Sequence, residues 1–287
     1  MFRKWPWILI ILVAVFLFIG RDISVEGLAE DGNAEAQNHL GVMYYLGHGV
    51  EQDYTEAARW FRKAAEQGDA QGKTYLGWMY LGGHGVSQDY DVALDWLVKA
   101  ADQGAVQAWA SLGRLYYYGD GVTQDYAEAL RWVQKAAEKG DAEGQNILGW
   151  MYYMGHGVSQ NYAEALDLFH KAASQGYVRA WNNLGRLYYH GHGVSQDYAE
   201  ALRWTLKAVE QDDARGQRNL GLLYAEGKGV TQNTAKAYMW YGIAAGNGDP
   251  YAAEARDGLV EGMTSDELSD LRSRARLYED ANPQTCN

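Results

Sequence analysis

The dipeptide Leu-Gly occurs at 40–41, 76–77, 112–113, 148–149, 184–185 and 220–221, always 36 residues apart. The surrounding phrase returns with it: LGVMYYLGHGVEQDYTEAARWFRKAAEQG from Leu40 is matched by LGWMYYMGHGVSQNYAEALDLFHKAASQG from Leu148. A fixed period of this length means that each unit is a supersecondary motif that cannot bury its apolar face alone, so neighbours must stack. Six periods run from about residue 34 to residue 249.

Each period reads as two helices. In the first, Ala36, Leu40, Met43, Tyr44 and Gly47 share a face, and Gly41 lets another helix come close. Gly47-His48-Gly49-Val50 stops it, glycine being the usual left-handed residue at a helix C-terminus. Asp53 and Glu56 predict a capping box for the second helix, repeated at Asp125 and Glu128, Asn161 and Glu164, and Asp197 and Glu200. Ala57, Trp60, Phe61, Ala64 and Ala65 form its expected buried stripe, ended by Gly68. With 3 prolines and 47% apolar residues, composition also favours helix over sheet.

The pattern A…LG-x-M/L-Y…G-x-G-V-x-Q-[DN]-Y-x-x-A…W…KAA…G resembles the Sel-one-like repeat family, a subclass of the tetratricopeptide-type solenoids. The resemblance spans roughly three quarters of the chain. It implies an all-α fold, a right-handed α/α superhelical solenoid, used as a protein-interaction scaffold and frequent in the bacterial envelope. Some secreted members carry a cysteine pair in each repeat and are linked to penicillin binding. The only cysteine here is Cys286, so that branch is not supported.

The ends differ from the repeats. Asp249-Pro250 starts a helix expected through about Val260, and Thr264 to Glu267 is a capping box for another with Leu268, Leu271 and Ala275 on one side. Residues 250–287 therefore read as a helical cap. At the other end Arg3 and Lys4 precede an apolar run from Trp5 to Gly20. As a helix it would reach roughly 24 Å, short of a ~30 Å hydrocarbon core. Residues 1–20 read as an uncleaved signal-anchor or a signal peptide, and 21–33 as a linker. Phe18 spoils a cleavage site just after the run, whereas Gly27-Leu28-Ala29 fits one but lies far from it. Either way the positive residues stay in the cytoplasm. The expectation is a single-pass inner-membrane protein with its repeats in the periplasm, or a protein exported after cleavage. No Asn-x-Ser/Thr acceptor occurs, and the reading is bacterial.

Chemistry is scarce. With 37 acids against 25 bases, net −12, the chain is a poor match for nucleic acid. Gly68-Asp69-Ala70-Gln71-Gly72-Lys73-Thr74 is one residue short of a phosphate loop, and the corresponding GDAEGQN and DDARGQR identify an ordinary helix start. Neither G-x-S-x-G nor H-E-x-x-H occurs. His48, His84, His156 and His192 recur between loop glycines, alternating with Asp120 and Lys228. Successive loops should lie on the order of 10 Å apart, too far for zinc, so the column reads as solvated loop. No catalytic residue, metal, nucleotide or other cofactor is expected.

What remains is a binding face. Leu40, Gly41, Tyr44, Gly47, Gly49 and Val50 have identical counterparts in all units and serve the fold. Glu35, Asn38, Val42 and Tyr45 project opposite Leu40, the side that lines the concave groove in tetratricopeptide-like packing. The column of Val42 continues as Trp78, Arg114, Trp150, Arg186 and Leu222. That of Tyr45 continues as Leu81, Tyr117, Tyr153, Tyr189 and Ala225. Aromatics and arginine are the residue types enriched at interface hot spots, and alternating Trp and Arg can form cation–π pairs. Trp78, Arg114, Trp150, Arg186, Tyr45, Tyr117, Tyr153 and Tyr189 are the candidate partner-binding residues. The competing reading makes these a ladder filling the seam between first helices, as Trp109 and Trp181 are expected to do. The expected function is a non-catalytic envelope scaffold holding a peptide segment or helix of another protein. The alternative is cell-wall glycan binding by the groove aromatics with Asn38, Asn146 and Asn182.

Overall fold

The computed structural model describes residues 24–280. The apolar segment 1–20 expected to be a signal-anchor or signal peptide lies outside the described residues. Fifteen helices and no strand are found among the described residues. A short α1 (Val25–Glu30) precedes six helix pairs: α2 (Ala34–Leu46) with α3 (Tyr54–Glu66), α4 (Ala70–Gly82) with α5 (Tyr90–Asp102), α6 (Val106–Tyr118) with α7 (Tyr126–Glu138), α8 (Ala142–Met154) with α9 (Tyr162–Ser174), α10 (Val178–His190) with α11 (Tyr198–Val209), and α12 (Ala214–Glu226) with α13 (Thr234–Gly246). Two closing helices follow, α14 (Ala252–Leu259) and α15 (Ser265–Asp280). This is the α/α solenoid class of architecture, divided between Ala105 and Val106 into two compact units.

The stripe expected on α3 is the core of its repeat: Ala57, Trp60, Phe61, Ala64 and Ala65 are each at most 4% exposed. The invariant glycine after each leucine is a contact point. A Cβ on Gly41 would stand 2.6 Å from the Phe61 ring, and one on Gly149 would stand 2.9 Å from that of Phe169. Only a hydrogen at these positions lets the two helices of a pair close on one another. Burying each large apolar side chain contributes about 1.5–3 kcal/mol, so the repeated Leu, Phe and Trp dominate the stability of each pair.

The loop between paired helices is held by a residue whose role the sequence did not disclose. Gln52, Gln88, Gln124, Gln160, Gln196 and Gln232 each donate their side-chain amide to the carbonyl of Tyr45, Leu81, Tyr117, Tyr153, Tyr189 or Ala225, at 2.7–2.9 Å. Carbonyls at a helix end otherwise lack partners, which accounts for glutamine in the G-V-x-Q phrase. The next residue closes the loop: Asp53 N–H donates to Tyr44 O at 3.0 Å, and the equivalent bond recurs in every pair.

That bond corrects the expected capping boxes. Asp53 Oδ1 does cap α3, accepting from Thr55 and Glu56 N–H at 2.8 and 3.1 Å. Its own N–H is already bound, so Glu56 has nothing to return to and pairs with Arg59 instead, at 2.6 Å. Glu128 and Glu200 likewise turn to Arg131 and Arg203. The reciprocal box forms at Thr264, whose N–H donates to Glu267 Oε2 at 2.8 Å.

Two boundaries shift. Within the expected linker 21–33, Val25–Glu30 is helical, Ala29 is fully buried, and the Ala29 carbonyl accepts from Gln37 Nε2 at 3.0 Å. This segment covers the exposed end of the first repeat. Pro250 does not begin α14, which starts at Ala252, because Asp249 folds back to accept from Tyr251 N–H at 3.0 Å. In α15, Leu271 and Ala275 are buried and the helix packs against α13, as a cap requires.

Candidate functional site

Within residues 106–280 the first helices of neighbouring repeats touch, α6 with α8 and α10 with α12, and no pair of second helices packs as closely. The first helices share one side of this stack, the inner side in tetratricopeptide-like packing. Residues from three successive repeats converge there: Tyr118 and Arg114 of α6, Glu143 of α8, and Arg179 of α10 all act electrostatically on the Tyr177 hydroxyl. Burial, chiefly, together with Glu143 pushes that hydroxyl well above the usual tyrosine range.

The tyrosine column divides under this geometry. Tyr117 and Tyr153 are 4% and 9% exposed, so neither presents a ring to a partner; burial holds the Tyr117 hydroxyl well above its ordinary range. Each reaches the loop of the following repeat. Tyr117 Oη lies 3.0 Å from His156 Nδ1, and Tyr153 Oη lies 3.1 Å from His192 Nδ1. Each imidazole also stacks on the tyrosine that opens the preceding second helix: His156 on Tyr126 at 4.4 Å and His192 on Tyr162 at 4.5 Å between centroids. Tyr45, His84 and Tyr54 build a looser version, with 3.4 Å from oxygen to nitrogen and 5.1 Å between the stacked rings.

In the last repeat Lys228 takes the imidazole's place. Its Nζ donates to Tyr189 Oη at 3.0 Å and lies 4.6 and 5.2 Å from the Tyr189 and Tyr198 ring centroids. Tyr189 in turn donates to Glu226. The histidine column is therefore not simply solvated loop: His84, His156 and His192 are half-buried clasps between repeats, while His48, in the first repeat, is exposed. The glycine after the clasp residue follows from the same packing. Gly193 has φ +72°, and a Cβ there would come within 2.6 Å of the Tyr162 carbonyl oxygen. Among the described residues no group of His, Cys, Asp or Glu is arranged to hold a metal ion.

Asn38, Asn146 and Asn182 also leave the groove. They are 4%, 7% and 3% exposed. Asn38 donates to Asp69, the cap of the next repeat's first helix, and Asn182 donates to Asp213 at 2.8 Å. Arg218 makes the corresponding pair with Asp249 at 3.0 Å. For Asn146 the next repeat's cap position is Tyr177, which makes no side-chain cap bond, and Asn146 accepts instead from Asn183 at 2.8 Å. Ala110 holds the equivalent repeat position ahead of Asp141 and has no polar group to offer. The Asp141 carboxyl, buried and bonded to Gly144 N–H at 2.7 Å, is pushed up to about 6, burial being the main cause. These amides serve the joint between repeats and are not available to a sugar.

The tryptophan and arginine column stays closer to the surface. The Arg186 guanidinium carbon lies 5.2 Å from the Trp150 ring centroid, and Trp150 stacks on Tyr153 at 5.0 Å and 11°. Arg114 lies 3.4 Å from Glu143 and 3.9 Å from Asp120. In the other unit Trp78 packs edge-on to Tyr75 at 5.4 Å. Trp181 packs against the preceding second helix rather than a seam between first helices, donating its indole N–H to the Ala173 carbonyl of α9 at 3.1 Å. Two residues missed in the sequence complete the inner face: Tyr118 and Met154, 51% and 43% exposed. Both occupy the position four after the Trp/Arg column, one helical turn on, which was the available signal.

The Sel1 repeat family matches residues 34–69, 70–104, 108–141, 142–177, 179–213 and 214–249. The structure is similar to that of a protective antigen present in uropathogenic Escherichia coli strains, displaying an SLR fold, at 35% sequence identity and a TM-score of 0.65. That alignment covers 92% of this chain and 58% of the E. coli chain, so this chain spans little more than half of that relative. It is also similar to a Sel1 repeat protein from Oxalobacter formigenes at 32% identity and a TM-score of 0.66, over 82% of this chain and 93% of the other. No curated protein matches the chain. Six matched repeats, with the leucine-glycine contacts and glutamine-held loops that shape each one, make this chain a member of the Sel1 repeat family.

Proposed function

We propose that this chain is a non-catalytic interaction scaffold of the bacterial envelope that holds a segment of an exported or membrane protein on the inner face of its first helices. Sel1 repeat proteins are generally protein–protein interaction scaffolds. The observation that carries the reading is the exposure of Tyr118 and Met154 beside Trp150 and Arg186. Large apolar side chains grouped on an inner face, with arginine at the rim, have the composition of a binding hot spot. Arg114 lies on the same column, and Tyr189 supports the rim through Lys228 and Glu226; in the other unit Trp78 and Tyr45 hold the corresponding repeat positions.

The placement in the envelope rests on Arg3, Lys4 and the apolar run 5–20, which would anchor the chain in the inner membrane with its repeats in the periplasm. Among the described residues no helix is long and apolar enough to cross a membrane. The description of the E. coli relative as a protective antigen accords with an exported location.

The test is site-specific photocrosslinking in cells, with benzoylphenylalanine placed at Tyr118 or, as a control on the opposite side, at Arg131. Protein adducts from position 118 that are absent from position 131 support the reading. Adducts to cell-wall glycan, or equal adducts from both positions, overturn it.

A further inference from the structure

The inner face carries an imbalance of charge. The protein has 37 acidic residues against 25 basic ones, and many of its arginines are matched. In residues 106–280, Arg131 pairs with Glu128 at 2.9 Å, Arg203 with Glu200 at 2.7 Å, Arg218 with Asp249 at 3.0 Å and Arg274 with Asp270 at 3.1 Å. Arg179, Arg186 and Arg215 differ. All three are exposed, and among the described residues none is within ion-pairing distance of a carboxylate. Arg179 and Arg186 stand two turns apart on α10, and Arg215 occupies on α12 the position Arg179 occupies on α10. In a chain with surplus carboxylates, three neighbouring arginines left without one mark a place where carboxylates come from elsewhere.

We propose that this face takes an extended acidic segment of a partner protein, with glutamate or aspartate at about every third residue and aromatic or aliphatic side chains between. The proposal rests on the reading of this face as a protein-binding groove. Two helical turns separate Arg179 from Arg186 by about 10 Å along α10, and neighbouring helix axes lie about 8–10 Å apart. A polyproline-II-like extended chain rises about 3.1 Å per residue and returns to the same face every third residue, so every third side chain meets the next arginine. Guanidinium is the group that engages a carboxylate through two parallel N–H bonds. Beside the arginines, on α8 and α6, Trp150, which Arg186 covers, Met154 and the exposed Tyr118 ring offer apolar contact to the intervening residues. A nucleic acid is a worse fit, because Glu143 acts on Arg179 from beyond ion-pairing distance and Glu226 sits beside Lys228, and both would repel closely spaced phosphates.

The test is fluorescence anisotropy with the full chain in mild detergent and three fluorescein-labelled peptides, built from Glu-Leu-Tyr, Gln-Leu-Tyr or Lys-Leu-Tyr triplets. Three exposed ion pairs of ordinary strength multiply to about a tenfold preference for the glutamate peptide over the glutamine peptide. That preference should fade as salt screens it and should disappear in Arg186→Glu/Arg215→Glu. Both positions are exposed, and Arg186→Gln/Arg215→Gln serves if the charge reversal disturbs the circular dichroism spectrum. Equal binding of the glutamate and glutamine peptides, a preference for lysine, or no effect of either double variant overturns the proposal. Protein crosslinks from Tyr118 with no glutamate preference would sink this inference alone, whereas loss of those crosslinks would sink the groove reading beneath it.

Discussion

Asp141 offers a direct measure of what one polar contact between repeats contributes. Two repeats supply an asparagine to the next repeat's capping aspartate, and one supplies an arginine; at Ala110 the partner is missing. The Asp141 carboxyl is raised from 3.8 to about 6 in the folded protein. The sign follows. Below pH 4 the carboxyl is protonated folded and unfolded, and contributes no penalty. As pH rises toward 6 the unfolded chain ionises first, and stability is lost until the folded carboxyl has also ionised. A shift of roughly two units corresponds to a ceiling of about 3 kcal/mol.

Ala110→Asn places a donor where Asn182 has one, 2.8 Å from its aspartate. A hydrogen bond to a charged group contributes about 1.5–3 kcal/mol, and crowding at the buried site takes back part of it. The expected gain is about 1–2 kcal/mol at pH 7.5 and close to none at pH 4, read by urea unfolding at a series of pH values. Ala110→Leu, which adds bulk without a donor, should be destabilised equally at both. If the Ala110→Asn and wild-type stability curves run parallel from pH 4 to pH 7.5, or if Asp141 titrates near 4 by NMR, the unmet-partner argument is wrong.

Three further outcomes follow from the packing. Gly149→Ala should cost about 1–3 kcal/mol, because its methyl would meet the Phe169 ring at 2.9 Å, whereas Gly185→Ala, with Thr205 Oγ1 at 3.3 Å, should stay within about 0.5 kcal/mol of wild type by chemical denaturation. His192→Lys should be tolerated because Lys228 fills the same clasp, while His192→Ala should lose about 1–2 kcal/mol; equal losses would mean the clasp contributes nothing. Tyr117→Ala should destabilise by about 3–5 kcal/mol, and its neighbour Tyr118→Ala should leave the melting temperature nearly unchanged while abolishing partner capture.

The period, the helix pairs and the buried stripe are legible in the sequence because each rests on short-range spacing multiplied six times, and the closing helices are legible from their own caps and apolar spacing. Repetition made Gly41 and Leu40 stand out. It could not say what an invariant residue touches. Gln52 was part of the phrase without a role, since its partner is a main-chain carbonyl that leaves no mark in sequence. The capping boxes misled for a related reason: the competing bond from Asp53 N–H to Tyr44 O is again main chain. Tyr117 and His156 lie 39 residues apart in chain and meet only because adjacent repeats stack. Helical spacing placed Tyr117 opposite Leu112, where it does project, but into the loop of the next repeat.

The clasps have a direction. In each one the tyrosines belong to one repeat and the imidazole or amine to the repeat after it. A chain appearing N-terminus first, from a ribosome or through a membrane pore, presents the tyrosines before the side chain that closes on them. Each joint therefore locks only when the next loop has emerged, and assembly trails synthesis by one repeat. The joint carried by Lys228 is sealed once the loop after α12 has emerged, before α13 and the closing helices.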